Sequence, residues 1–178
     1  MKVRLTDVRL AFVDLFEVNK KYGKYGVRAL FAPGGRNEQV LNDAIDQAGR
    51  EAFADKWPTI KKSLKTANKL VIHSGDDHED KPDYKDKIYI NANNKIRPAV
   101  HGRDGAPLTK EDEVIYPGCR ADVIINVFGF TNPEFGKFIG ASLLGVQFRA
   151  DADRMLIGAY VDEEDFKPIT DGADADDL

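Results

Sequence analysis

At 178 residues, 42% apolar and 31% charged, the chain has the length of one domain and can bury about two-thirds of its unfolded surface, with no need of a disulfide or structural metal. Cys119 stands alone, which excludes an internal disulfide and a cysteine-rich zinc site and fits a reducing compartment. The net charge of −4 averages two unlike parts: residues 162–178 hold eight acidic residues against one lysine, a charge of −7, and residues 1–161 carry +3.

The first ten residues carry charges at Lys2, Arg4, Asp7 and Arg9, too many for a signal peptide or a membrane span, and no later stretch approaches 18 uncharged apolar residues. Alternation of Val3 and Leu5, then Val8, Leu10 and Phe12, predicts a strand whose slip in phase marks a bulge near Thr6 and Asp7. Tyr25, Val27, Ala29 and Phe31 share one face of a second strand, which Pro33-Gly34-Gly35 ends. From Asn37, read as an N-cap, Leu41, Ala44, Ile45, Ala48 and Ala52 recur at helical spacing until Trp57-Pro58, and a short helix follows over 59–65. Trp57 reads as a packing anchor under the helix. Strand signals return over 70–72, 87–92, 95–100, 121–130 and 138–148, with a tight hairpin expected at Asn93-Asn94. About six strands with a helix between the second and third predict a mainly β domain with an inserted α-helix. The favoured architecture is a five-stranded Greek-key barrel over 1–161, with a disordered acidic C-terminal tail over 162–178.

Enzyme signatures are missing. There is no GxGxxG and no HExxH, and Gly136-Lys137 is followed by Phe138, so no phosphate loop and no cofactor motif is present. The run Asp76-Asp77-His78-Glu79-Asp80 has the residue types of a divalent-metal nuclease centre, but neighbours on a strand point apart and in a loop repel, so it reads as a solvated loop.

Three clusters carry the opposite chemistry. Lys20, Lys21, Tyr22, Lys24, Tyr25 and Arg28 combine four cations and two tyrosines in nine residues: cations gain from counterion release at phosphates, and aromatic faces stack on any base. Gly23 and Gly26 remove side chains that would block a backbone approaching that segment. With Ile88, Ile90 and Ala92 turned inward, Lys87, Tyr89 and Asn91 face outward, and Lys95 and Arg97 follow. Phe128 and Phe130 share a face opposite Ile125 and Val127, with Lys137 beyond them. Such a phenylalanine pair packs in a two-sided core or stands exposed for stacking.

The opening MKVRLTDVRLAF, the INANNKIRPAV stretch with Asp104-Gly105 after it, Tyr116-Pro117-Gly118-Cys119 and GASLLGVQF resemble the single-stranded DNA-binding proteins of tailed phages, from Lys2 to about Arg149. The resemblance implies an OB-fold that coats single-stranded DNA in phage replication or recombination, in the cytoplasm of an infected bacterium, without enzymatic activity. It also implies an acidic tail that recruits replication proteins. Such tails commonly finish on an aromatic residue, whereas this one finishes on Asp176-Asp177-Leu178 with Phe166 as its only aromatic. The expected function is therefore sequence-independent binding of single-stranded DNA, by a monomer or homo-oligomer, with a −7 tail competing for the basic groove and limiting duplex binding most. The alternatives are a nuclease built on residues 76–80 and a protein-interaction domain without a nucleic-acid role.

Overall fold

The phase slip expected near Thr6 is where β1 (Lys2–Asp14) bulges: its register against β6 (Arg120–Asn132) shifts between Leu5 and Val8, and Asp7 takes a φ of 55°. The bulge is held from outside. Asn37 accepts a hydrogen bond from the Thr6 amide (2.9 Å) and donates one to its carbonyl (2.8 Å). Asn37 is thus not the N-cap; α1 (Arg36–Phe53) starts two residues earlier than expected, with Gly35 in the cap position and no side-chain cap.

The computed structural model describes residues 1–155. The expected boundary at 161 and the tail over 162–178 lie outside them. Among the described residues seven strands form one sheet: β1, β2 (Tyr25–Phe31), β3 (Ile72–Ser74), β4 (Ile88–Asn94), β5 (Ala99–His101), β6 and β7 (Gly136–Ala150). Their order is β3-β4-β2-β1-β6-β7-β5, and a further β4–β7 pairing closes β1, β2, β4, β7 and β6 into a five-strand barrel. Four junctions of that ring are antiparallel; β4 and β7 run parallel and meet at one residue pair, Asn93 with Ser142. Leu5, Leu10, Ile90, Val123, Ile125 and Leu143 fill the core, with Leu41 and Ile45 of α1 packed against them.

The inserted helix falls where periodicity placed it, between β2 and the later strands, and α2 (Trp57–Thr66) follows after one 3-10 turn. Pro58 sits in the first turn of α2, where its missing N–H costs nothing, so it starts a helix as well as ending one. Trp57 is the anchor expected: it is buried, stacks on Phe53 at 6.1 Å, and donates its indole N–H to Asp46. Gly49 makes room for it, since a Cβ there would lie 2.2 Å from the indole ring.

The hairpin expected at Asn93-Asn94 does not form. Both residues belong to β4, paired with Gly26 and Tyr25 of β2, and Asn94 spends its side chain on the Leu143 carbonyl and the Ile96 amide. The strand expected over 95–100 shortens to β5, which runs beside β7. After β7 the chain crosses the Pro117-Gly118 turn: the Met155 amide donates to the Pro117 carbonyl, Arg9 donates to the carbonyls of Gly118 and Asp153, and Met155 is buried. Gly118, at φ 106°, is the point crossed; a Cβ there would sit 2.1 Å from the Asp153 oxygen.

Candidate nucleic-acid interface

Strand alternation sends Val27, Ala29 and Phe31 of β2 and Ile90 and Ala92 of β4 inward, and so turns Arg28, Tyr89, Asn91 and Asn93 to the outer face. Arg28 lies opposite Asn91 and donates its Nε–H to the Asn91 Oδ1 at 2.8 Å. Its guanidinium sits over three rings, at 4.5 Å from the centroid of Tyr89, 4.9 Å from Phe12 and 5.8 Å from Tyr84. Lys81 approaches Phe12 and Tyr84 at 5.2 Å. A cation caged in this way presents its remaining N–H groups at a fixed angle.

This cage borders a cleft of about 440 Å³ that Tyr22, Lys24, Tyr25, Arg28, Asn91 and Asn93 help to line. A second cleft of about 340 Å³ is lined by Asn68, Lys69, His73, Phe135, Phe138 and Gly140, and again by Asn91. Asn91 lines both, so one groove crosses β4 from the loop before β2 to the β6–β7 hairpin. There Phe138 meets Phe128 and Phe130 edge to face, at 6.2 and 5.4 Å. Gly140 keeps this floor low, since a Cβ would come within 3.1 Å of the Phe128 ring. Phe130 is 47% exposed and Phe135, at the hairpin turn, 70%. The pair Phe128 and Phe130 therefore faces away from the core that Ile125 and Val127 fill.

The other predicted residues divide. Lys20, Lys21 and Tyr22 are exposed on a turn built by Asn19, whose side chain accepts from the amides of Lys21 and Tyr22. Gly23 has a φ of 65° with open space around it, so the turn itself accounts for that glycine. Tyr25 is half-buried at the barrel rim. Lys87 faces outward but borders a different cleft, with Arg9, Asp83 and Met155. Lys95 and Arg97 are exposed on an irregular segment rather than a strand, with Arg97 stacked over Phe16 at 5.6 Å. Lys137 is exposed at the hairpin, on the face opposite Phe138.

Tyr89 has the outward phase expected of it but is only 7% exposed. The 3-10 turn Pro82–Tyr84 covers it, and it packs with Ala11, Leu30, Tyr84 and Met155 as a second small core. Its hydroxyl meets Nε2 of His78 at 2.9 Å. Burial, then the Arg28 charge, holds the pKa values of His73 and His78 below the usual imidazole value, so both rings are neutral at pH 7. Phe12, Tyr84, Asn93, His73, Phe135 and Phe138 line or border the groove without being among the predicted site residues. Of these, Phe138 carried a usable signal, since it stands across the turn from Phe130.

The acidic run does not assemble. Gly75–Asp77 is a 3-10 turn capped by Ser74, Asp76 accepts from the Asp86 amide at 2.9 Å, and His78 turns back toward Tyr89. Among the described residues no three His, Cys, Asp or Glu side chains are placed to hold a metal ion. No helix among them is long and apolar enough to cross a membrane.

A closed ring in the order first, second, third, fifth, fourth strand defines an OB-type barrel, and its second and third strands carry a cationic and aromatic groove. The sequence carries the assignment further. A family model described as Enterobacter phage Enc34, ssDNA-binding protein, matches residues 1–178, and the chain belongs to that family of binding proteins, not to a family of enzymes. It is 32% identical over 179 residues to protein p50 of Acyrthosiphon pisum secondary endosymbiont phage 1, across 96% of this chain and 95% of that one. Among solved structures, the single-stranded DNA-binding protein of bacteriophage Enc34 in complex with ssDNA is similar in fold, with a TM-score of 0.70 at 24% identity over 86% of this chain and 88% of that one. So is gp2.5, a single-stranded DNA binding protein encoded by bacteriophage T7, with a TM-score of 0.62 at 12% identity over 85% and 93%.

Proposed function

We propose that this protein binds single-stranded DNA without sequence preference, along the groove that crosses β4, and serves phage DNA replication or recombination in the cytoplasm of the infected host. The carrying observation is that Asn91 lines both clefts, so cations and exposed rings follow one path long enough for several nucleotides. Lys20, Lys21, Lys24 and Arg28 attract phosphates, while Tyr22, Phe130 and Phe135 offer faces to bases. Labelled oligonucleotides in a gel shift test this directly. The expected result is binding to unrelated single-stranded sequences with similar affinity, falling linearly in log salt by about 0.7 per phosphate engaged. No shift at low salt overturns the reading.

The −7 segment acts in this reading as a competitor for the groove. Met155 packs with Tyr84 and Tyr89, beside the Arg28 cage, and the seven residues from there to Asp162 reach at most about 25 Å. Tethering at that range gives a high effective concentration. Removing residues 162–178 is expected to raise affinity, most for double-stranded DNA, whose binding depends almost wholly on charge. Unchanged duplex affinity at low salt refutes the competition. Replication proteins recruited through the same tail, and a second copy of this chain, are the protein partners proposed.

A further inference from the structure

We infer that the single-strand path continues past the barrel onto α2, where Lys62, Lys65 and Lys69 form a phosphate track. This rests on the groove being the single-strand site. The second cleft does not end on the sheet; it is walled by Asn68 and Lys69, the residues that follow α2. Lys69 is fixed at that corner by donating to the Phe135 carbonyl at 2.7 Å, which leaves its other N–H groups free to point outward. Lys62 and Lys65 lie one turn apart on α2, and Lys69 follows where the chain reverses at Asn68 (φ 55°), its amide donating to the Leu64 carbonyl. All three are exposed.

Two observations separate this row from an ordinary solvated face. Between Trp57 and Gly75 the sequence holds four lysines and no acidic residue. Lys61, the one lysine of α2 turned toward α1, is neutralised by Asp46 at 2.7 Å, whereas Lys62, Lys65 and Lys69 enter no ion pair among the described residues. Compensation of the helix dipole does not account for them either. The C-terminal end of a helix carries about half a negative charge, and three cations exceed it several-fold.

The test compares wild type with the double variant Lys62→Gln, Lys65→Gln on oligothymidylates of about 6 and about 16 nucleotides, within and beyond the reach of one barrel face. On the longer strand the variant is expected to lose about 1.4 from the slope of log affinity against log salt, the share of two single-strand phosphates. On the shorter strand it is expected to match wild type, and Lys62→Arg, Lys65→Arg to restore the longer-strand slope. An unchanged slope on the longer strand, or an equal loss on both lengths, overturns the track. Failure of the wild type to bind either strand instead overturns the groove itself. Both lysines are exposed, and an unshifted melting temperature confirms that the variant folds.

Discussion

Arg28 is held by three rings, the Asn91 amide oxygen and the Tyr84 hydroxyl, which makes it a poor site for a lysine. Arg28→Lys keeps the charge but loses the planar contact with Tyr89 and the hydrogen bond to Asn91, so affinity for single strands is expected to drop at fixed salt while the salt slope stays. The exposed rings behave oppositely. Phe130→Ala and Phe135→Ala are expected to cost about 1 to 3 kcal/mol of binding for each base that loses its stack, with little change in melting temperature. Tyr89→Ala removes a buried ring and is expected to lower stability by about 3 kcal/mol, so its binding loss is to be judged beside Tyr89→Phe, which leaves the packing in place. Alternation made the facing of Tyr89 legible; its cover was not, because Tyr84 comes from an aperiodic segment whose position only tertiary packing sets. The neighbouring imidazoles add a pH dependence. With His73 and His78 held below the ordinary value of 6.5, the unfolded chain takes up protons first as pH falls through that value. Stability is therefore complete above it and declines below it, until the folded rings protonate in turn. Arg28 and Lys81 oppose protonation there and Asp77 and Asp80 favour it. Melting curves at pH 7.5 and about 5.5 check this, the gap shrinking in a His73→Asn, His78→Gln variant.

At the scale of elements, periodicity served the long, regular pieces and failed at their joints. The bulge at Thr6 and Asp7 and the buried face of α1 were readable because each is a break or a repeat in apolar spacing. Asn93-Asn94 was misread because asparagine satisfies local backbone groups at the end of a strand as readily as in a turn, and its pairing with β2 is a long-range fact. Lys95 and Arg97 were carried off the sheet by the same error. The junction of α1 and α2 is set by a side chain instead. Gly49→Ala gains about 1 kcal/mol of helix propensity but drives a methyl group into the Trp57 ring, so a net loss of about 1 to 2 kcal/mol is expected in chemical denaturation. A gain in stability would mean that Trp57 can leave its seat.

For the molecule as a whole, charge sorts by face. Opposite the groove, Asp122 is buried between Arg4 and Arg149 and accepts the Asp7 amide, while Arg120 pairs with Asp7. Burial alone would raise the Asp122 carboxyl; the Arg149 and Arg4 hydrogen bonds outweigh it and leave the value lowered. Those cations are thus committed to holding β1, β6 and β7 together, whereas among the described residues Lys20, Lys21, Lys24 and Lys69 around the groove enter no ion pair, a distinction that composition could not reveal. The ring closes at its weakest junction, where Asn93 and Ser142 form the one ladder pair between β4 and β7 and the Asn94 side chain adds a hydrogen bond to the Leu143 carbonyl. A barrel with so slender a seam breathes there first, and any polymer lying over both lips acts as a splint. Amide exchange at Asn93 and Ser142 is accordingly expected to be fast for strand residues and to slow on loading with oligothymidylate, while exchange in the β1–β6 ladder stays as it was. Occupancy of the outer face would then be recorded in the rigidity of the barrel wall.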